Sequence, residues 1–348
     1  ITSSDADKVN VKADKISLKA GEDVGSKIKY LNVETKNTGL DVNAKNAYIK
    51  GNQLNIISAV IDNEANFASD GKITAGDITS KIFNVDSKDV EIKGKVSAEN
   101  TVINATNQTL LSNAEIGGDL SITSNELIVD NAELKNLTSS SQTADIINMT
   151  VKEDTNISTV GKTTIADAKV GGNFTNTSES SEVTGTLEVA GDAQINAVVS
   201  ASVANAVVGK NLDLNAKDVL VSDMTVIGNV NSKSDRLNIK SSEDINIGVI
   251  SGYSDKYTEI ANIASDKSLN NGLSNGESNM YVKITDLKAG NSIGSEKNPL
   301  KLMLTEDNKI SLKSGDTVSI LTDGASANYG DIDVGTLAIN SDKDIVID

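Results

Sequence analysis

The chain carries 49 Asp and Glu against 32 Lys and Arg, with no His and no Cys. Any chemistry must therefore come from carboxylates, hydroxyls, amides and amines. Without His there is no Ser-His-Asp triad, without Cys no thiolate nucleophile or disulfide, and without both no ordinary zinc site. Carboxylates two residues apart, Asp331 with Asp333 and Asp342 with Asp344, are the arrangement that could supply an acid and a base to a glycosidic bond or gather calcium. That spacing also puts both members of each pair on the wet face of an alternating strand, where they are simply solvated. The Gly-rich nonapeptide that makes calcium structural in some repeat proteins is absent. An enzyme cutting acidic polysaccharides needs clustered positive charge to grip uronates, yet Lys outnumbers Arg 31 to 1 and the one guanidinium is Arg236. No residue is assigned a catalytic, cofactor-binding or metal-binding role, and the chain is expected not to be an enzyme.

Three other motifs carry little. Thr159 to Thr164 reads TVGKTT, the tail of a phosphate-cradling loop, but Asn156 stands where that loop needs its first Gly. Without that turn the backbone amides cannot close on a phosphate. Leu40, Asp41 and Val42 spell an integrin-type tripeptide that an alternating strand also produces by itself. Glycosylation triplets begin at Asn104, Asn107, Asn136, Asn148, Asn156, Asn173 and Asn176, in a chain so rich in Asn, Ser and Thr that such triplets arise freely.

The elements that would position any of these residues are strands. Bursts of apolar residues at i and i+2, separated by Lys, Asp, Asn, Thr or Ser, recur from Val9 onward, as in the stretches starting at Lys81, Asp119, Asn211 and Arg236. That is the signature of a strand with one dry and one wet face. The breaks are single polar residues or Gly rather than hairpin dipeptides. Aromatics make up 3% of the 348 residues, Trp is absent, Pro occurs once at Pro299, and there are 26 Gly. A core with so few rings must be narrow and filled by Val, Ile, Leu and Ala. Short strands, one apolar face, polar corners and one Pro point to an all-β fold, a parallel β-solenoid. At about 20 residues per coil and about 4.8 Å between strands the chain would make roughly 17 coils and a rod on the order of 80 Å long.

Inward positions are expected at Val90, Ile92, Val102, Leu120, Ile122, Leu187, Val189, Leu212, Leu214, Leu237 and Ile239, with Asn43, Asn104, Asn196 and Asn215 at corners where amides can stack from coil to coil. Residues 253–279 lose the alternation and place Tyr257, Ile260 and Ile263 at roughly helical spacing. They are read as a short helix or loop inserted between a β-helix over 1–252 and its continuation over 280–348, with a binding role weighed against that of a spacer.

The formal net charge of −17 repels nucleic acid and anionic lipid headgroups, so neither is expected as a partner. No apolar run approaches the roughly 20 residues needed to span a bilayer, and no membrane insertion is expected. The chain lacks an initiating Met and ends in mid-alternation at LAINSDKDIVID, as expected of a segment cut from a longer protein. Neither end looks like a cap, so end-to-end association is expected, opposed by a net charge that salt screens.

One phrase occurs twice. Leu18, Lys19, Ala20, Gly21, Gly25, Ser26 and Leu31 match Leu287, Lys288, Ala289, Gly290, Gly294, Ser295 and Leu300 in unbroken register. Such self-similarity marks a repeat architecture. The stretches AGEDVGSKIKYL and AGNSIGSEKNPL resemble the recurring phrase of filamentous-haemagglutinin-like exoproteins, the large surface and secreted proteins of bacterial two-partner (type V) secretion. Tyr30 replaces the family's Pro in the first copy, and the secretion domain with its Asn-Pro-Asn motifs is missing, so the likeness is to an internal segment. The resemblance implies a right-handed parallel β-helix, an extracellular or bacterial cell-surface location, and a role as adhesin, fibre stalk or carrier of a distal effector. Implied partners are neighbouring repeats, like chains end to end, and a host or bacterial surface receptor or glycan. A carbohydrate-active or carbohydrate-binding β-helix module is the alternative.

Overall fold

A computed structural model describes residues 1–3, 8–274 and 276–347, with 36–38 described in backbone only. The chain divides into two compact units, Ile1–Thr163 with Asp167–Gly171, and Thr164–Ala166 with Gly172–Asp348. Each is a parallel β-solenoid, and no helix occurs among the described residues. None is therefore long and apolar enough to cross a membrane.

In the first unit Phe67 pairs with Val85 and Val85 with Ile103, an even step from coil to coil. At the start of that unit the step is longer: Val11 faces Val33 and Leu18 faces Val42. In the second unit Phe174, Ala193 and Leu212 succeed one another at a short step, whereas Leu237, Ala261 and Thr285 do so at a long one. The expected coil length is thus an average over short and long coils. Some of the extra residues sit in a loop such as 252–257, and others are taken up as register shifts within paired strands, between Ala13 and Lys15 and between Val282 and Ile284.

The dry face follows the alternation. Of the expected inward positions all are 3% exposed or less except Val102. There the strand Asn100–Ser112 turns Thr101, Ile103 and Ala105 inward and leaves Val102 half-buried. Adjacent Val and Ile make either parity plausible locally, and a slip of one residue moves every side chain to the other face. Each buried aliphatic side chain contributes about 1.5–3 kcal/mol. All three Phe are inside, and Phe67 meets Phe83 edge-to-face with centroids 6.1 Å apart. Small residues line inward corners: Ser241, Ser265, Ala289 and Ser314 stack in register. Their hydroxyls are satisfied across coils, Ser241 Oγ donating to the Met224 carbonyl at 2.6 Å and Ser265 Oγ to that of Glu243 at 2.7 Å.

The helical option for 253–279 is corrected. Thr258–Ser265 is a strand, paired in parallel with Arg236–Ser241 and with Met280–Ala289, and Leu269–Asn271 is another. The helical spacing of Tyr257, Ile260 and Ile263 arises from an irregularity after Thr258, where Glu259 and Ile260 both face out before Ala261 turns in. The loops of the segment are 252–257 and the stretch after Asn271, of which Asn275 lies outside the described residues.

The duplicated phrase folds twice into one turn. Gly25 and Gly294 have φ of +71° and +62°. A Cβ would stand 2.2 Å from the Tyr48 carbonyl oxygen at the first and 2.4 Å from that of Ser319 at the second. Ser26 and Lys29 exchange backbone hydrogen bonds at 2.9 and 3.1 Å, as Ser295 and Asn298 do at 3.1 and 3.0 Å. Leu18 and Leu287 both point inward. Gly21 and Gly290 fall at matching bends after their strands, but neither has a positive φ, and only Gly290 is held by close approach, to the Asp266 carbonyl. The backbone angle that only Gly adopts cheaply lies further along the turn, at Gly25 and Gly294.

Candidate functional site

The carboxylate pairs do not converge. Asp331, Asp333, Asp342 and Asp344 are all exposed, and Asp333 is met by Lys313 at 3.1 Å. No group of three metal-ligating side chains occurs among the described residues. In the phosphate-loop remnant the Gly161 amide is committed to the Gln142 carbonyl, and the Thr159 and Thr163 hydroxyls face each other inside the coil at 2.9 Å. Leu40 and Val42 of the integrin-type tripeptide are buried, while Asp41 accepts from Ser58 Oγ at 3.2 Å and pairs with Lys15 at 3.0 Å. The amides of Asn107 and Asn136 donate to carboxylates of neighbouring coils.

Two carboxylates that alternation alone does not single out are taken out of water in the first unit. Glu91 is held between Lys72 at 2.6 Å and Lys93 at 2.9 Å. Burial raises its pKa, but the two ammonium groups outweigh that and leave it below the usual Glu value. Glu64 accepts from Lys27 at 2.8 Å and from the Tyr48 hydroxyl at 3.0 Å. Burial and this carboxylate push the Tyr48 phenol up to about 12. Both clusters fasten adjacent coils, through Lys72 to Glu91 and through Tyr48 to Glu64.

The corners hold amide ladders. Asn215 Nδ2 donates to Asn196 Oδ1 at 2.8 Å, as expected, whereas Asn104 stands in register between Asp86 and Thr123. A ladder that sequence reasoning missed runs through Asn113, Asn131 and Asn148, with φ of 52°, 58° and 54°. Asn131 Nδ2 donates to Asn113 Oδ1 at 2.7 Å and Asn148 Nδ2 to Asn131 Oδ1 at 2.9 Å. Its signal was the repeated Asn-Ala-Glu at 113 and 131. Asn is the residue that tolerates this left-handed corner while its short amide reaches the next coil.

Several shallow grooves lie on the outer faces, one of about 670 Å³ in the first unit, and one of about 440 Å³ on an outer face of the second unit lies across well-aligned rows of side chains. The latter crosses four successively paired strands whose register aligns two rows of side chains. One row runs Ser200, Asp218, Arg236, Ile260, and the other Ser202, Leu220, Asn238, Asn262. Beneath them Ala201, Val219 and Leu237 point into the core, which fixes the rows as outward. Arg236 grips Asp218 with two nitrogens, Nη2 reaching Oδ2 at 2.7 Å. The guanidinium hydrogen bond holds the Asp218 pKa below the ordinary carboxylate value. The one Arg of the chain is thus already paired with a carboxylate. Leu220 and Ile260 remain 45% and 37% exposed on the groove surface. The arrangement has hydroxyl, amide and aliphatic groups in file and no acid-base pair aimed at a common point. No protein-family profile, no curated protein and no solved structure matches this chain.

Proposed function

We propose that the chain is a structural and adhesive segment of a large bacterial surface or secreted fibrous protein of the filamentous-haemagglutinin-like kind. It supplies length and a display surface for attachment and performs no turnover. The observation that supports this most is the duplicated phrase: residues 18–31 and 287–300 fold into the same Gly-Ser turn, as expected of a module laid down repeatedly along a fibre. Parallel coils fastened by backbone ladders and amide stacks suit a mechanical role, because neighbouring coils share many bonds and no single loop carries the fold. On this reading neighbouring repeats or like chains adjoin end to end, and the outer faces meet a surface receptor or glycan.

Immunogold labelling of intact producing cells with antibody raised against residues 1–348 tests the location. Label on the cell exterior or on released fibres is expected. Label that appears only after permeabilisation overturns the proposal.

A further inference from the structure

We infer that the groove of the second unit is a binding site for a neutral, linear glycan, lying along the file of coils. The inference deepens the adhesive reading above and rests on it for biological meaning, but its chemistry stands on the groove alone.

Three observations choose the ligand. First, charge: Arg236 and Asp218 neutralise each other through two hydrogen bonds, so the described residues lining the groove leave no free cation to hold a phosphate, sulfate or uronate. The net charge of −17 adds repulsion for any polyanion. Second, backbone pairing: Asp218–Val221 is hydrogen-bonded on both sides, to Ala193–Val208 and to Arg236–Ser241, and the latter also to Thr258–Ser265. An extended peptide adding itself as a strand needs an open edge, and the groove offers none. Third, repetition: the four rungs from Ser202 through Leu220 and Asn238 to Asn262 present side chains at a spacing of about 4.8 Å, over roughly 14 Å in all. A ligand matching such a file has its own repeat of about one ring per rung. Amides of Asn238 and Asn262 and the hydroxyl of Ser202 can donate to and accept from sugar hydroxyls. Leu220 and Ile260 meet the apolar C–H face of the rings. A polar neutral chain with one apolar face is an oligosaccharide, and four rungs at about one ring each match a tetrasaccharide.

The test is isothermal titration calorimetry of the whole chain with cellotetraose, xylotetraose, mannotetraose and acetylated chitotetraose, and with the mono- and disaccharides of whichever binds. Binding of at least one tetrasaccharide is expected, at least tenfold tighter than its disaccharide. Leu220→Glu and Asn262→Ala, both on the outer face, should each weaken it at least tenfold with unchanged circular dichroism and melting. No binding of any tetrasaccharide at millimolar concentration overturns the inference, as does binding that both variants retain. Release of reducing ends from the bound sugar overturns binding without turnover. Immunogold location is indifferent to these substitutions, so the groove can fail while the fibre reading stands, and the reverse.

Discussion

Replacing Asn131 separates the two contributions of the left-handed amide ladder. Its φ of 58° lies where L-residues lose roughly 1–2 kcal/mol, a cost that Asn offsets in part by local bonding. Its side chain makes one bond down to Asn113 and one up to Asn148. Both are exposed, so each contributes toward the low end of the net range, about 0.5 kcal/mol. Asn131→Gly loses about 1 kcal/mol of bonds and relieves the backbone, while the looser unfolded chain opposes that relief. A net loss of about 1 kcal/mol is expected. Asn131→Ala loses the same bonds and adds the backbone cost, for about 2 kcal/mol. Asn131→Val adds β-branch crowding and should exceed about 3 kcal/mol. Urea unfolding followed by far-ultraviolet circular dichroism gives the order, and hydrogen exchange at Ala114, Ala132 and Met149 reports the local opening that a stacked-coil protein allows. Equal losses for Gly and Ala would refute the backbone part of the reasoning. Three neutral substitutions would refute the ladder altogether.

Other expectations are simpler. Gly25→Ala and Gly294→Ala should each cost about 3 kcal/mol or more in thermal unfolding, because a Cβ at either would stand within 2.4 Å of a carbonyl oxygen at positive φ. Gly21→Ala, with nothing within 4 Å of the added carbon, should stay within about 0.5 kcal/mol. A loss at Gly21 matching that at Gly25 would overturn the turn assignment. Ile103→Ala should cost about 3 kcal/mol and Val102→Ala less than about 1 kcal/mol; the reverse order in melting temperature would reverse the parity of that strand. Glu91 has a lowered pKa in the fold, so its contribution is present above the unfolded-state pKa of about 4.3 and lost as pH falls through the folded value. Glu91→Gln should therefore flatten the acid limb of stability below about pH 5, and an unchanged limb would mean that the Lys72 and Lys93 contacts contribute nothing.

The strand pattern and the repeated phrase were legible because both are local. Alternation along a strand decides which residues can be dry, and a turn that needs a Gly at positive φ keeps its Gly in both copies. The absence of His, Cys and nearly all Arg likewise limited the chemistry before any coordinate was known. Tertiary structure decided whatever depends on the coil above and below. Adjacent Val102 and Ile103 satisfy either parity until Ala105 and the neighbouring strands choose one. Tyr257, Ile260 and Ile263 read as helix because an irregularity after Thr258 shifts the alternation, and only pairing with Arg236–Ser241 shows it. Short and long coils look alike in sequence, since polar loops and register shifts inside the strands absorb the difference. For the same reason the groove was invisible: Leu220, Asn238 and Asn262 each lie one whole coil from the next, and the two coils differ in length. Nothing in their own neighbourhoods aligns them; the register of stacked coils does, because parallel pairing places each residue directly over the one a coil below.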